Sequence, residues 1–170
     1  SSDLHIKRMN NTFAQTPVEL LTIDSHLFKH LAENLNLQEG FRKAEWLLQH
    51  SPFQEMLWAD ILDLALDLRS YPFEKGDVLY KSNAPGYESF LLVSGEIGLY
   101  DENDVLCYRL SDPGKFFGGR ATLFNELHRF KAEAHSQGEV WVLRAVDLKR
   151  LHMVHPDISL QLRGDEMTTV

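Results

Sequence analysis

The pattern of apolar positions divides the chain into a helical first part and a strand-rich middle. Up to about residue 70, apolar residues recur every three or four positions, as in helices with one buried face. From residue 73 to 143, short apolar or alternating runs are separated by turn residues, which is typical of β-strands. Helical spacing then returns. The order predicts an α+β fold: N-terminal helices, an antiparallel β-barrel or jelly roll of about eight strands, and C-terminal helices.

Capping and helix-breaking residues predict the bounds of the helices. Ser25 follows Asp24 as an N-cap, Gly40 is expected to break the pattern, and Pro156 separates the last two helices. The stretch before residue 17 is polar and without a period, so we expect an irregular arm there. The predicted helices cover residues 26–35, 41–49, 53–68, 145–154 and 157–167.

The strands are bounded by turn signals at short intervals. A strand, a Gly-Asp corner and a second strand are predicted over residues 73–80. Residues 96–100 and 105–110 flank an acidic turn and predict a hairpin. Two closing strands are predicted at residues 128–135 and 139–143.

Certain residues of this middle part carry specific expectations. Gly76, Gly95 and Gly114 lie between strands, where tight corners favour a positive φ. Asn83 can supply the same conformation at another turn, because asparagine enters the left-handed region readily. Trp141 lies between two valines in mid-strand, so we expect it to pack in the core.

Composition narrows the class of protein. The 170 residues are 44% hydrophobic and 25% charged, and the net charge is −8. That composition indicates a soluble globular domain, and its acidity argues against nucleic-acid binding. No apolar run approaches the length of a membrane span, and no signal peptide is found. A single cysteine, Cys107, favours a reducing, cytoplasmic compartment. Because the chain begins with serine, we expect a piece of a longer protein.

Four stretches together resemble the cyclic-nucleotide-binding domain family. They include an aromatic-x-x-Gly-Asp-x-Leu corner and an aromatic-Leu-Leu-Val-x-x-Gly-x-Ile strand and turn. The others are an Asp-Pro-Gly-led loop and a leading helix. In this chain they stand at Phe73–Leu79, Phe90–Ile97, Asp112–Gly118 and Leu47–Gln54. The resemblance covers about residues 45–165. It implies an N-terminal arm and helical leader at residues 1–44, followed by the domain at residues 45–170.

The resemblance also implies a ligand site. In the family, a short loop helix binds the cyclic phosphate through its N-terminal amides, and an arginine pairs with the anion. Arg129 matches that arginine, and Lys131 is expected beside the pocket wall. The helix after the barrel acts as a lid, for which the apolar candidates are Leu160, Leu162 and Met167. The predicted ligand-binding residues are Gly118, Gly119, Arg120, Ala121, Arg129 and Lys131.

One departure from the family pattern affects the expected affinity. Gly119 stands where the family has a glutamate that accepts a hydrogen bond from the ribose 2′-hydroxyl. A hydrogen bond to a charged group contributes about 1.5–3 kcal/mol, so its loss weakens binding roughly ten- to a hundredfold. Two alternatives stay open. The cleft senses cAMP, cGMP or another anion, or the pocket is degenerate and the domain mediates protein interactions. Arg120 and Lys131 can equally be ordinary solvated cations.

Other chemistry is less well supported by the sequence. His26 and His30 have a metal-compatible spacing but no further ligands, and Cys107 lacks an activating base, so a buried small residue is expected there. No hydrolase or nucleotide-fold motif is present, so we expect no catalytic residues, no metal and no cofactor. The sequence therefore predicts a non-enzymatic regulatory module that couples the flanking domains of a host. The host expected is a transporter or channel with this domain in the cytosol, and a homo-oligomer stays open.

Overall fold

The computed structural model describes residues 17, 22, 25, 28, 37–50 and 52–162. Apart from residue 28, the helix predicted at 26–35 lies outside these residues, as do the histidine pair at 26 and 30 and the end of the last predicted helix. Helix α1 spans Leu37–Leu47, a 3₁₀ turn spans Phe53–Glu55, and helix α2 spans Trp58–Asp67. None of the described helices is long and apolar enough to cross a membrane. The predicted division between a leader at residues 1–44 and a domain at residues 45–170 falls inside α1, and this division stays a prediction.

Two expectations for the first helices are wrong. Gly40 does not break a helix, because it lies buried inside α1. A Cβ atom there would lie 2.7 Å from the side chain of Leu66, so the glycine allows α1 to approach α2 closely. The helix predicted at 53–68 is two elements, since the backbone is extended at Met56 and Leu57 between the 3₁₀ turn and α2.

The described residues form eight strands in two antiparallel sheets, which confirms the predicted α+β jelly roll. Sheet one has the order β1-β8-β3-β6, and sheet two has the order β2-β7-β4-β5. The strands are β1 Arg69–Phe73, β2 Val78–Tyr80, β3 Glu88–Ser94, β4 Ile97–Tyr100, β5 Leu106–Leu110, β6 Phe116–Phe117, β7 Lys131–Ala134 and β8 Gly138–Arg144.

The pairing confirms the hairpin, in which β4 pairs with β5. The two closing strands do not pair with each other, because β7 lies in sheet two and β8 in sheet one. Strand β1 begins at Arg69, earlier than expected, and contains Pro72. A proline is tolerated there because β1 is the edge strand of its sheet.

The turn residues behave as the sequence predicts. Gly76, Gly95 and Gly114 have φ values of +94°, +90° and +91°, and Asn83 has a φ of +61°. The prediction for Cys107 is wrong, because its side chain is exposed on β5. Alternation along this edge strand puts Cys107 on the outer face of sheet two.

Three shorter helices complete the described fold. Helix α3 spans Gly119–Phe124 between β6 and β7, where the resemblance implies a short loop helix. Helices α4 and α5 span Ala145–Val154 and Pro156–Gln161, close to the predicted bounds.

Two hydrophobic clusters lie on opposite faces of sheet one. The helix-side cluster joins buried residues of α1, α2 and α4 to Leu91, Trp141 and Leu143. The inner cluster lies between the two sheets and consists of Phe73, Tyr80, Phe90, Leu92, Ile97, Leu99, Phe117, Phe130, Ala132, Ala134, Val140 and Val142.

Trp141 belongs to the helix-side cluster and is fully buried, as the sequence predicts. Its ring lies 4.8 Å from the ring of Trp46 in an edge-to-face contact. The ammonium of Lys43 lies 5.4 Å from the Trp141 ring and donates a 2.6 Å hydrogen bond to the carbonyl of Leu68, just after α2. Burial lowers the pKa of Lys43 below its ordinary value. Lys43 thus ties α1 to the end of α2 and to sheet one.

Candidate functional site

The predicted loop helix is positioned by β6 and β3. Gly118 precedes α3 with a φ of +74°, a left-handed conformation that turns the chain from β6 into the helix. The hydroxyl of Thr122 lies 2.9 Å from the carbonyl of Gly118 and 2.9 Å from that of Glu88, in β3. These contacts hold α3 against sheet one.

A small cleft lies beside this helix, which we call the cassette cleft. It encloses about 220 Å³ of empty space, part of it open to solvent. The part that a water-sized molecule can reach is about 10 Å³, far below the roughly 300–1,000 Å³ typical of small-molecule sites. The cleft brings together four of the predicted site residues. Its lining consists of Gly118, Arg120, Ala121, Glu126, Leu127, His128 and Arg129.

Gly119 is buried and packs against the C-terminal segment. A Cβ atom at this position would lie 2.1 Å from the carbonyl oxygen of Leu162 and 2.9 Å from the ring of Phe116. A larger residue at 119 therefore requires Leu162 to move. Of the lid candidates, Leu162 is 1% exposed and Leu160 is 40% exposed, while Met167 lies outside the described residues.

The two arginines of the cleft have different surroundings. The guanidinium of Arg120 forms a 3.0 Å ion pair with Glu126, another residue of the lining. Arg129 is exposed, and its guanidinium carbon lies 5.7 Å from the centre of the Phe130 ring. The Arg120 charge is thus neutralised within the cleft, and Arg129 is the residue that matches the expected anion partner.

Lys131 does not lie with the other predicted residues. Its ammonium forms ion pairs of 2.7 Å with Asp104 and 3.1 Å with Glu133, and hydrogen bonds to these two carboxylates raise its pKa. Strand alternation explains the placement, because the neighbouring Ala132 faces the inner cluster. Lys131 therefore lies on the outer face of sheet two, whereas the sequence placed it beside the pocket wall.

The structure adds His128, which the sequence analysis did not select. His128 is 5% exposed and stacks on Tyr80 with ring centres 3.8 Å apart. Burial lowers its pKa from 6.5 to about 4, so the imidazole is neutral at physiological pH. Alternation was the available signal, because His128 and Phe130 are buried on either side of the exposed Arg129.

Aromatic rings fill the space between the sheets next to the cassette cleft. Tyr80 lies 5.6 Å from Phe90, and Phe90 lies 5.4 Å from Phe117, measured between ring centres. Tyr108 packs edge-on against Phe130 at 5.5 Å. No group of His, Cys, Asp or Glu suitable for holding a metal ion is found in the part of the chain that the structure describes.

Residues 71–155, half of the chain, match the family model of the cyclic nucleotide-binding domain. The chain belongs to the cyclic nucleotide-binding domain family. The match includes the cassette cleft and both sheets of the domain. No curated protein sequence matches this chain.

Solved structures show the same fold. A Geobacter metallireducens protein named for cyclic nucleotide binding matches with a TM-score of 0.60 and 21% identity, over 70% of this chain and 88% of that one. The cAMP-bound PfPKA-R matches with a TM-score of 0.68 and 18% identity, over 79% and 47%. The regulatory domain of Toxoplasma gondii PKA with cAMP matches with a TM-score of 0.63 and 18% identity, over 67% of this chain and 45% of that one. The chain therefore spans about half the length of the two PKA structures.

Proposed function

We propose that this domain is a non-enzymatic regulatory module that takes a cyclic nucleotide, cAMP or cGMP, or a related organic phosphate at the cassette cleft. Family membership supports the ligand class. The observation that carries the proposal is that Arg129 lines the same cleft as Gly118, the turn that starts α3. In this reading the Arg129 guanidinium pairs with the phosphate of the ligand.

Two features lead us to propose weak binding. The acidic acceptor expected at position 119 is absent, and Leu162 packs where its side chain would begin. The cleft is also smaller than an ordinary ligand pocket, so a nucleotide has to displace part of its lining. We therefore expect dissociation constants nearer the millimolar than the micromolar range, which corresponds to about 4–8 kcal/mol of binding free energy.

The C-terminal segment is the proposed output of the module. Leu162 follows α5 and touches Gly119 at the start of α3. A ligand that moves the start of α3 would therefore change the position of α5, provided that it binds one arrangement better than the other. The coupled partners would be flanking domains of a host protein, and a cytosolic domain of a transporter or channel is the host we propose.

A second candidate function is a protein-interaction module with a closed pocket. It is favoured by the same contact between Gly119 and Leu162, together with the aromatic rings that fill the space between the sheets. In this alternative the chain's own residues occupy the place of the ligand. The domain then acts only by coupling its neighbours.

Calorimetry with cAMP and cGMP at concentrations up to millimolar separates the two candidates. The Arg129→Ala variant tests the proposed anion partner. Arg109→Ala is the matched control, because Arg109 is an exposed cation on β5, away from the cleft. Sensing predicts heat that is lost with Arg129→Ala and kept with Arg109→Ala. An absence of heat with either nucleotide supports the interaction module and contradicts the sensing proposal.

A further inference from the structure

A second concave surface, which we call the outer hollow, lies on the outer face of sheet two. It encloses about 680 Å³ of empty space, much of it open to solvent, and its lining includes Glu96, Tyr100, Arg109 and His135. These residues belong to β4, β5 and the segments beside β4 and β7. The cassette cleft shares none of these four residues.

Three side chains in the outer hollow form a continuous hydrogen-bonded series. Glu96 Oε1 lies 2.8 Å from His135 Nδ1, and His135 Nε2 lies 2.7 Å from the phenolic oxygen of Tyr100. The hydrogen bond from His135 lowers the pKa of Glu96, so its carboxylate is ionised and accepts. With Nδ1 donating to Glu96, Nε2 of the imidazole is left to accept the phenolic proton.

The backbone holds this imidazole in place. A Cβ atom on Gly98 would lie 2.3 Å from His135 Nε2, so the ring lies directly over the glycine. The amide of His135 also donates a 2.8 Å hydrogen bond to the carbonyl of Glu96. The base is thus fixed from two sides, while Arg109 holds the Glu96 carboxylate through a 3.0 Å ion pair.

Lys131, paired with Asp104 and Glu133, lies against the ring of the phenol. Its ammonium lies 4.8 Å from the centre of the Tyr100 ring. The phenol is thus held between the imidazole of His135 and the side chain of Lys131. A nucleophile next to a base, with the base oriented by a third group, is the arrangement that activates side chains for covalent chemistry.

We propose that Tyr100 is a nucleophilic tyrosine and that the outer hollow is a site of covalent acylation by esters with a good leaving group. The phenolic oxygen forms a bond to the acyl carbon, and the bond from that carbon to the leaving oxygen breaks. The phenolic proton passes to His135 Nε2 and then to the leaving group, so one alcohol or phenol is released for each acyl group gained. This assignment is independent of any ligand in the cassette cleft.

The test is acetylation with p-nitrophenyl acetate, followed site by site with peptide mass spectrometry. Tyr87 and Tyr71 are internal references, because they are 73% and 49% exposed and, within the described part of the chain, no hydrogen bond joins either phenol to a base. We expect Tyr100 to be acetylated at least tenfold faster than either. If Tyr87 reacts faster than Tyr100, exposure governs the reaction and the proposal is overturned.

Variants test whether His135 acts as the base for Tyr100 or only packs beside it. His135→Gln should slow acetylation of Tyr100 at least tenfold and leave Tyr87 unchanged, and Glu96→Gln should give a smaller loss of the same kind. Arg69→Ala, at an exposed cation on β1 of sheet one, should leave the rate at Tyr100 as it is. If His135→Gln perturbs folding, seen as a changed rate at Tyr87, Gly98→Ala replaces it. An unchanged Tyr100 rate in a folded variant that displaces the imidazole would overturn the proposal.

Discussion

The two sheets have four strands each, but they meet solvent differently. In sheet one the central strands β8 and β3 are buried on both faces, against the inner cluster and the helix-side cluster. In sheet two one of the two central strands, β7, alternates, with Ala132 and Ala134 buried and Lys131 and Glu133 facing outward. Sheet one therefore packs against a hydrophobic cluster on each face, whereas sheet two packs against the inner cluster on one face only.

The difference assigns separate roles to the two sheets. The helix-side cluster joins α1, α2 and α4 to residues of sheet one, so a movement of those helices can reach that sheet through the cluster. The outer face of sheet two carries no described helix of that cluster and holds the relay of Glu96, His135 and Tyr100. Regulation and covalent chemistry are thus expected on opposite sides of the molecule.

The largest expected effect is at Trp141, in the doubly buried sheet. Trp141→Ala removes a fully buried ring, so the free energy of unfolding should fall by about 3–5 kcal/mol. The control is Val78→Ala in β2 of sheet two, where the side chain is 44% exposed and the change should be about 0.5 kcal/mol or less. Urea unfolding measures both. Equal losses would break the contrast between the sheets.

His128 sharpens the contrast through pH. His128 has a pKa of about 4 in the folded protein and an ordinary value of 6.5, so between these values the unfolded state binds more protons. Stability should therefore decrease as the pH falls from neutral to about 4, by up to about 3 kcal/mol. Unfolding measured across this range should show a flatter profile for His128→Phe, which keeps a ring against Tyr80. An identical profile in the variant would show that His128 is not the group responsible.

A smaller effect is expected at the contact between α3 and the C-terminal segment. Gly119→Ala forces Leu162 to move and should reduce the free energy of unfolding by about 1–3 kcal/mol. Hydrogen exchange of the amides in residues 157–162 should become faster. Gly76→Ala is the control, since its Cβ would contact nothing within 4 Å, and any strain there should leave those amides unaffected. Exchange that is unchanged in Gly119→Ala would argue against the proposed output.

The smallest effect is expected on the outer face of sheet two. The ion pair between Arg109 and Glu96 joins side chains that are 63% and 32% exposed. Exposed pairs of this kind contribute little, so Arg109→Ala should change the free energy of unfolding by less than about 0.5 kcal/mol. A loss above 1 kcal/mol in urea unfolding would show that the outer face has a structural role comparable to that of the helix-side cluster.

Local patterns predicted much of the fold. Runs of consecutive apolar residues indicated strands of sheet one, and Trp141 was correctly placed in the core. Turn chemistry identified Asn83, whose side chain permits a left-handed backbone. These features depend on neighbours in sequence, so they can be recognised without the folded structure.

The remaining features depend on residues that are distant in sequence. From the sequence Gly40 is predicted to break a helix, whereas in the fold it allows Leu66 to pack closely against α1. From the sequence Gly119 marks only a missing glutamate, whereas in the fold it makes room for the backbone of Leu162. The relay of Tyr100 and His135 likewise forms only when β4 and β7 pair. Lys131 was placed at the pocket because its motif position was known and the direction of its side chain was not.

The distribution of tryptophan has a practical consequence. The chain has three tryptophans, and Trp46, Trp58 and Trp141 all belong to, or pack against, the helix-side cluster. Intrinsic fluorescence of the unmodified protein therefore observes the helical side of sheet one almost exclusively. A shift of α1 that withdraws Lys43 from Trp141 would change the tryptophan emission. A reaction in the outer hollow would leave that emission unchanged. A single emission spectrum can therefore distinguish a change on the helical side from one on the outer face of sheet two.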